Sequence, residues 1–246
     1  MLYFIISLFS TIIGAIVGIG GGLIIRQLLA NMGVAKSVAS FTSSVVVLSM
    51  AVVTLLTYMK NGAKIEVKKL SLLALGSIIG GFIGGTFLKY VNENFIDIAY
   101  IFMLLLVLLS VIFREKIPEI NIKNPLGQMV IGVITGGLSG FFGIGGGPFQ
   151  VTALIVFFGE YPREAAVDSV FITFLTTLSS LTKYTMNGYM DFSIALFMIP
   201  AAIIGGYAGS KINRKISSNK VSAIFIASVL FIIVMQSFTI VYKYMN

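Results

Sequence analysis

Long uncharged apolar stretches, separated by short clusters of lysine and arginine, set the pattern of this chain, and eight such segments can be drawn along it. Residues 1–25 carry no charged side chain; without a basic leader or a small-residue cleavage site they read as a first membrane segment rather than a removable signal peptide. Arg26 is the only charge before Lys36, which leaves a short arm ending near Asn31-Met32-Gly33. Ser37–Met59 then runs 23 residues without a charge, long enough for a helix to cross a bilayer. Lys60, Lys64, Lys68 and Lys69 crowd a loop around the turn dipeptide Asn61-Gly62. Leu70–Leu88 follows as a span whose Gly80-Gly81 and Gly84-Gly85 have the spacing that lets membrane helices approach closely. Ile98–Phe113, nearly pure Leu, Ile, Val and Phe, predicts an outer, lipid-facing helix.

The clearly hydrophilic stretch is Arg114–Asn124, with Pro118 and Pro125 toward its ends, and it reads as a linker between two halves. Pro125–Gly159 is then uncharged for 35 residues. As one straight helix it would be about 52 Å long, against roughly 30 Å of hydrocarbon, so it must break, and Gly143–Pro148 is the place. Ala165–Lys183 is a span that contains Asp168 and leads to a turn at Asn187-Gly188. Phe192–Ser210, with Pro200 and Gly205-Gly206, and Val221–Tyr242 complete the set.

The glycines repeat. Gly18-Ile19-Gly20-Gly21-Gly22 returns 125 residues later as Gly143-Ile144-Gly145-Gly146-Gly147. Glycine costs roughly 1 kcal/mol against alanine inside a helix, so both clusters predict helix interruptions. Irregular backbone at membrane depth is tolerated where protein or a water-filled cavity covers it, which makes the breaks candidates for two halves of one central site. Further landmarks keep register: Ala39–Ser43 answers Ala165–Ser169, Tyr58 with Asn61-Gly62 answers Tyr184 with Asn187-Gly188, and Gly80-Gly81 answers Gly205-Gly206. The expected architecture is an all-α polytopic membrane protein of two homologous four-segment repeats, residues 1–113 and 125–246, joined by the polar linker 114–124. Internal repeats of this kind are the usual build of secondary transporters.

Composition agrees with a membrane protein. Hydrophobic residues make up 57% of the 246 and charged residues 11%, with a mean hydropathy of +1.02. Cysteine and histidine are both absent, which argues against disulfides, thiol chemistry, zinc and haem, and no cofactor is expected. The net charge of +8 comes from residues scattered between apolar segments, as in proteins oriented by basic loops rather than in nucleic-acid binders.

Two halves that each open with a Gly-x-Gly-Gly-Gly segment and continue with an Ala-x-x-(Thr/Asp)-Ser span resemble the TauE/SafE family of sulfite-exporter and related anion transporters. The resemblance covers essentially the whole chain. Arg26-Gln27 stands where that family tends to carry a proline, and Pro148 comes early in the second half. Membership would imply a transported anion, often sulfur-containing.

Charge bears on topology. If all eight segments cross, the 17 Lys and Arg divide 8 against 9 and the halves share one orientation. If the glycine-broken segments enter and leave on one side, six helices cross, the halves are inverted, and Arg26, Lys36, Lys89, Lys183 and Lys243 oppose the other 12. The 12-residue side is then cytoplasmic, with the protein in the plasma membrane. The inverted arrangement is preferred, with eight crossings left open.

Half-helix N-termini present free N–H groups and a positive dipole end, which favour an anion. Gly20, Gly21 and Gly22, with Gly145, Gly146 and Gly147, would supply two such ends; close helix packing is the alternative role. Thr42, Ser43 and Ser169 are hydroxyl candidates, and Gln27, Gln150 and Thr152 can reach substrate oxygens. Arg26 would neutralise the anion, or snorkel to the interface. Asp168, matched to neutral Thr42, would carry a coupling proton, cap its helix or pair with Arg163. No Walker motif is present and no nucleophile–base pair is evident, so gradient-driven transport of a small anion by alternating access is the leading function and enzyme catalysis is not expected. A channel with the same pore is the alternative. The expected partners are a small anion and the lipid bilayer, with a homodimer left open.

Overall fold

The computed structural model describes the backbone of residues 1–63, 65–88, 90, 93–113 and 120–245, and the side chains of these except 93, 94 and 242–245. Lys64, Lys89 and the 114–119 portion of the expected linker lie outside the described residues. Ten α-helices and no strand form among the described residues: α1 Leu2–Val17, α2 Gly22–Asn31, α3 Lys36–Lys60, α4 Val67–Phe87, α5 Glu93–Ile112, α6 Pro125–Phe142, α7 Gly147–Phe157, α8 Pro162–Met186, α9 Ala195–Lys215 and α10 Ser218–Met245. Seven of them, α3 to α6 and α8 to α10, are long and apolar enough to cross a membrane, while α1 and α7 are shorter apolar helices.

Both glycine clusters interrupt helices. α1 ends at Gly18 with φ 80° and α6 ends at Gly143 with φ 63°, a left-handed backbone that glycine adopts without strain. The chain then re-enters helix at Gly22 and Gly147. After each break it reverses. Ile24 and Leu28 of α2 share an apolar groove with Ile5, Phe9 and Ile13 of α1, and Gly21 packs against Ser10, so α2 runs back along α1. The Ile122 N–H donates to the Phe157 carbonyl at 2.9 Å, which ties the end of α7 to the stretch leading into α6. Each broken segment is therefore a hairpin whose chain leaves at the end by which it entered.

Glycine also decides which helices touch. Cβ atoms built on Gly76, Gly80 and Gly84 of α4 would overlap the carbonyl oxygens of Met129, Val133 and Gly137 on α6. On the other flank, Gly205 and Gly209 of α9 press on the backbone and Thr11 hydroxyl of α1. Without a hydrophobic drive between helices in lipid, such backbone approach supplies the dispersion contact that holds them. Both contacts join residues of one sequence half to the other. α4, α6 and α8 pack as one group, α1, α3 and α9 as a second, and α3 meets α8 between them.

α5 and α10 pack together on the periphery. α5 turns Tyr100, Leu104 and Val111 inward and Phe102, Leu106 and Leu109 outward, as its composition predicts. It begins at Glu93 rather than at the expected Ile98 because Asp97 is accommodated inside, accepting from Lys36 Nζ at 2.7 Å and Gln236 Nε2 at 3.1 Å. Buried hydroxyls pin the hairpins: Tyr58 donates to the Ala15 carbonyl at 3.2 Å, and Tyr184 donates to the Gly140 carbonyl.

Candidate anion site at the crossed glycine breaks

The hairpin tips meet backbone to backbone. A Cβ on Gly22 would lie 2.5 Å from the Ile144 carbonyl oxygen, and one on Gly147 would overlap the Ile19 backbone. Gly20, Gly22 and Gly145 all pack against Val47 of α3. Each tip is held by a serine from the long helix of the other half. Ser43 Oγ donates to the Gly143 carbonyl at 2.7 Å, and Ser169 Oγ donates to the Gly18 carbonyl at 3.1 Å. Thr177 Oγ1 donates to the Gly145 carbonyl at 2.9 Å. The carbonyls released by breaking the helices thus find donors, as burial requires.

One cation stands inside this arrangement. Arg26, on the first turns of α2, is 1% exposed. Its Nε donates to Ser40 Oγ at 3.3 Å, its guanidinium lies 5.5 Å from the centre of the Tyr100 ring, and Nη2 is buried without an acceptor. Ser40 in turn abuts Gly143. No carboxylate among the described residues pairs with Arg26. Burying a charge without a counter-charge is strongly unfavourable. The ring face of Tyr100 offsets part of that cost, and an anion beside Nη2 would offset the rest.

The other polar candidates divide in two. Gln150 is fully buried but occupied: its Nε2 donates to Thr176 Oγ1 at 3.1 Å and its Oε1 accepts from Thr173 Oγ1 at 3.2 Å. Gln27 Nε2 donates to Asn31 Oδ1 at 3.0 Å, at the far end of α2. Thr42 Oγ1, Ser44 Oγ and Thr152 Oγ1 are buried without partners. The N-terminus of α2 at Gly21 and that of α7 at Gly146 carry no side-chain cap, which leaves their first N–H groups uncovered by side chains.

A family model described as Sulfite exporter TauE/SafE matches residues 3–235. The chain belongs to the TauE/SafE family. A probable membrane transporter protein of Bacillus subtilis, YunE, is 26% identical, the match covering 88% of this chain and 89% of that protein. One from Methanocaldococcus jannaschii is 30% identical over 88% of this chain and 87% of its own length, and one from Haemophilus influenzae is 22% identical over 85% and 82%. No solved structure matches the chain significantly. Family and helices together make this a multi-pass membrane protein.

Within this TauE/SafE chain, Gly20–Gly22, Gly145–Gly147, Ser43 and Ser169 come together at the crossing, and Arg26 joins them through Ser40. Asp168 does not join them. It lines a pocket near the start of α8, on the same helix as Ser169, and makes no ion pair with Arg163, whose Nη2 donates to the Arg214 carbonyl at 2.7 Å. There Lys69 Nζ donates to Glu160 Oε1 at 2.8 Å. Burial pushes the Glu160 carboxyl above the usual carboxylate range, although the Lys69 ammonium pulls it down. Ser40, Tyr100 and Glu160 escaped the sequence reading. Ser40 was legible as a neighbour of the Ala-x-x-Thr-Ser motif and Glu160 as a lone acid after an uncharged run, whereas nothing local marks Tyr100.

Proposed function

We propose that this TauE/SafE protein is a secondary carrier of a small anion, sulfur-containing as the family description suggests, and that Arg26 is the counter-charge the anion meets. The observation that carries the reading is the buried guanidinium whose Nη2 lacks an acceptor, set beside the two glycine breaks. The half-helix ends of α2 and α7 add positive dipole to the same region. Gly20–Gly22, Gly145–Gly147 and the unpartnered hydroxyls of Thr42 and Thr152 complete the proposed lining.

The carrier is built from two repeats, residues 1–113 and 125–246, joined through 114–124. Matched contacts support the duplication: Ser43 to Gly143 answers Ser169 to Gly18, and Tyr58 to Ala15 answers Tyr184 to Gly140, at offsets of 125 or 126 residues. With both broken segments as hairpins, α3, α4, α5, α8, α9 and α10 cross and the repeats are inverted, with the basic side in the cytoplasm. Because the close packing joins α4 to α6 and α1 to α9, the bodies that rock in alternating access are the two mixed groups rather than the two repeats. The tight backbone crossing at Gly22–Ile144 and Gly147–Ile19 favours a carrier over a channel with an open pore.

Proteoliposomes loaded with unlabelled anion and offered radiolabelled sulfite, thiosulfate, sulfate or a sulfonate test this. Saturable counterflow of one of them is expected, lost in Arg26→Met. An unsaturated ohmic current, or counterflow indifferent to Arg26→Met, overturns the reading.

A further inference from the structure

Away from the crossing, six ionisable side chains line a pocket of about 480 Å³: Glu66 and Lys69 at the start of α4, Glu160 between α7 and α8, and Arg163, Glu164 and Asp168 on α8. Four are acids and two are bases. Arg163 Nη2 donates to the Arg214 carbonyl, and among the described residues Lys69 is the cation bonded to one of these carboxyls. Glu160 is 5% exposed; one oxygen accepts from Lys69, and the other, Oε2, is buried and has no donor. The Asp168 carboxyl lines the same pocket as Glu160. Two ionised carboxylates repel and have no hydrogen to share. One proton between them supplies the missing donor and removes one of two like charges.

We propose that Glu160 and Asp168 bind a single proton between them, and that this pair is where proton movement enters the transport cycle. The inference rests on the carrier reading above and deepens it: the titrating unit is a pair, not Asp168 alone. The proton sits on the carboxyl oxygens, and Lys69 competes with it for Glu160, so proton binding loosens the ion pair between α4 and the α7–α8 loop. The next residue on α8, Ser169, donates to the Gly18 carbonyl at 3.1 Å, so a shift of this turn reaches the first glycine break directly. The positions of the first half that match Glu160 and Asp168 are Val34 or Ala35 and Thr42, and those of the second half that match Lys69 are Ile194 or Ala195. None of these is ionisable, so this pair of carboxyls has no counterpart at the matched positions of the other repeat.

Infrared spectroscopy of the purified protein in lipid nanodiscs, titrated through pH while the C=O stretch of protonated carboxyls is followed, reads the proton without any anion. In the wild type one carboxyl is expected to titrate above the ordinary carboxylate range. The signal should vanish in both Asp168→Asn and Glu160→Gln, and should move to higher pH in Lys69→Met, which leaves both carboxyls in place. A signal that survives either carboxyl substitution, that is absent from the wild type, or that does not move in Lys69→Met overturns the shared proton. In proteoliposomes, sulfite uptake by Asp168→Asn should become independent of an imposed pH gradient to which the wild type responds, and a retained response overturns the coupling role. If wild-type protein shows no anion counterflow, the carrier reading fails, and the infrared titration still decides the proton site.

Discussion

Gly147 stands so close to Ile19 that a Cβ on the glycine would overlap the isoleucine Cα and carbonyl carbon, which is how the two hairpin tips cross in a space that fits only backbone. Gly147→Ala should therefore destabilise the fold by about 1–3 kcal/mol, the usual range for overpacking. Gly137, on α6, is the control: its Cβ would meet nothing closer than 3.7 Å, so Gly137→Ala should leave stability unchanged or raise it slightly through helix propensity. Thermal unfolding of both variants in detergent distinguishes them, and equal melting temperatures would count against the tight crossing.

Arg26 predicts opposite effects on stability and on binding. With no carboxylate among the described residues paired to it, Arg26→Met removes a buried charge and should raise the melting temperature of the anion-free protein. Sulfite should stabilise the wild type and not the variant. A charge-assisted hydrogen bond contributes about 1.5–3 kcal/mol, so anion affinity should fall by about ten- to a hundredfold. A variant less stable than the wild type without anion would mean that Arg26 is already neutralised within the fold.

Ser43 and Ser169 hold matched carbonyls, those of Gly143 and Gly18. Replacing either by alanine leaves a buried carbonyl without that donor, a loss of about 1–3 kcal/mol. Similar melting shifts in Ser43→Ala and Ser169→Ala are expected; a large shift in one and none in the other would show that the two bonds are not equivalent.

The inverted arrangement is open to direct labelling because the chain has no cysteine. Single cysteines at Lys68 and Lys215 should be protected from an impermeant thiol reagent in intact cells, and cysteines at Met32 and Met190, both exposed, should react. Reaction at Lys68 together with Met190 would place one hairpin across the membrane.

Glu160 predicts a pH dependence. Its carboxyl is raised above the usual value of about 4 in the folded protein, so the folded state holds this proton more tightly than the unfolded chain. The stability it contributes is complete at low pH and is lost as pH rises through the folded pKa. Melting temperature should fall over that interval in the wild type and stay flatter in Glu160→Gln, which cannot ionise. Identical profiles would remove Glu160 as the source.

Much of the helical order was written in local sequence. Uncharged stretches of membrane length predicted α3, α4, α8 and α10 to within about three residues and α9 to within about five, because a bilayer selects length and hydrophobicity directly. The breaks at Gly18–Gly22 and Gly143–Gly147 were equally legible, since glycine's cost in a helix is a local property. Asp97 hid the start of α5 because its partners, Lys36 and Gln236, lie 61 and 139 residues away.

Sequence alone determined that this is a multi-pass helical protein with two matched glycine breaks and with Arg26 as the one charge between the first of them and Lys36. Tertiary structure decided that the breaks cross, that α4 packs on α6 and α1 on α9, that Arg26 is buried beside Tyr100 with no carboxylate among the described residues paired to it, and that Asp168 shares a pocket with Glu160 rather than joining the glycines. The physical reason is range: hydrophobicity and helix propensity act on neighbours in the chain, whereas a charge is neutralised or left unpaired by whatever group the fold brings within a few ångströms.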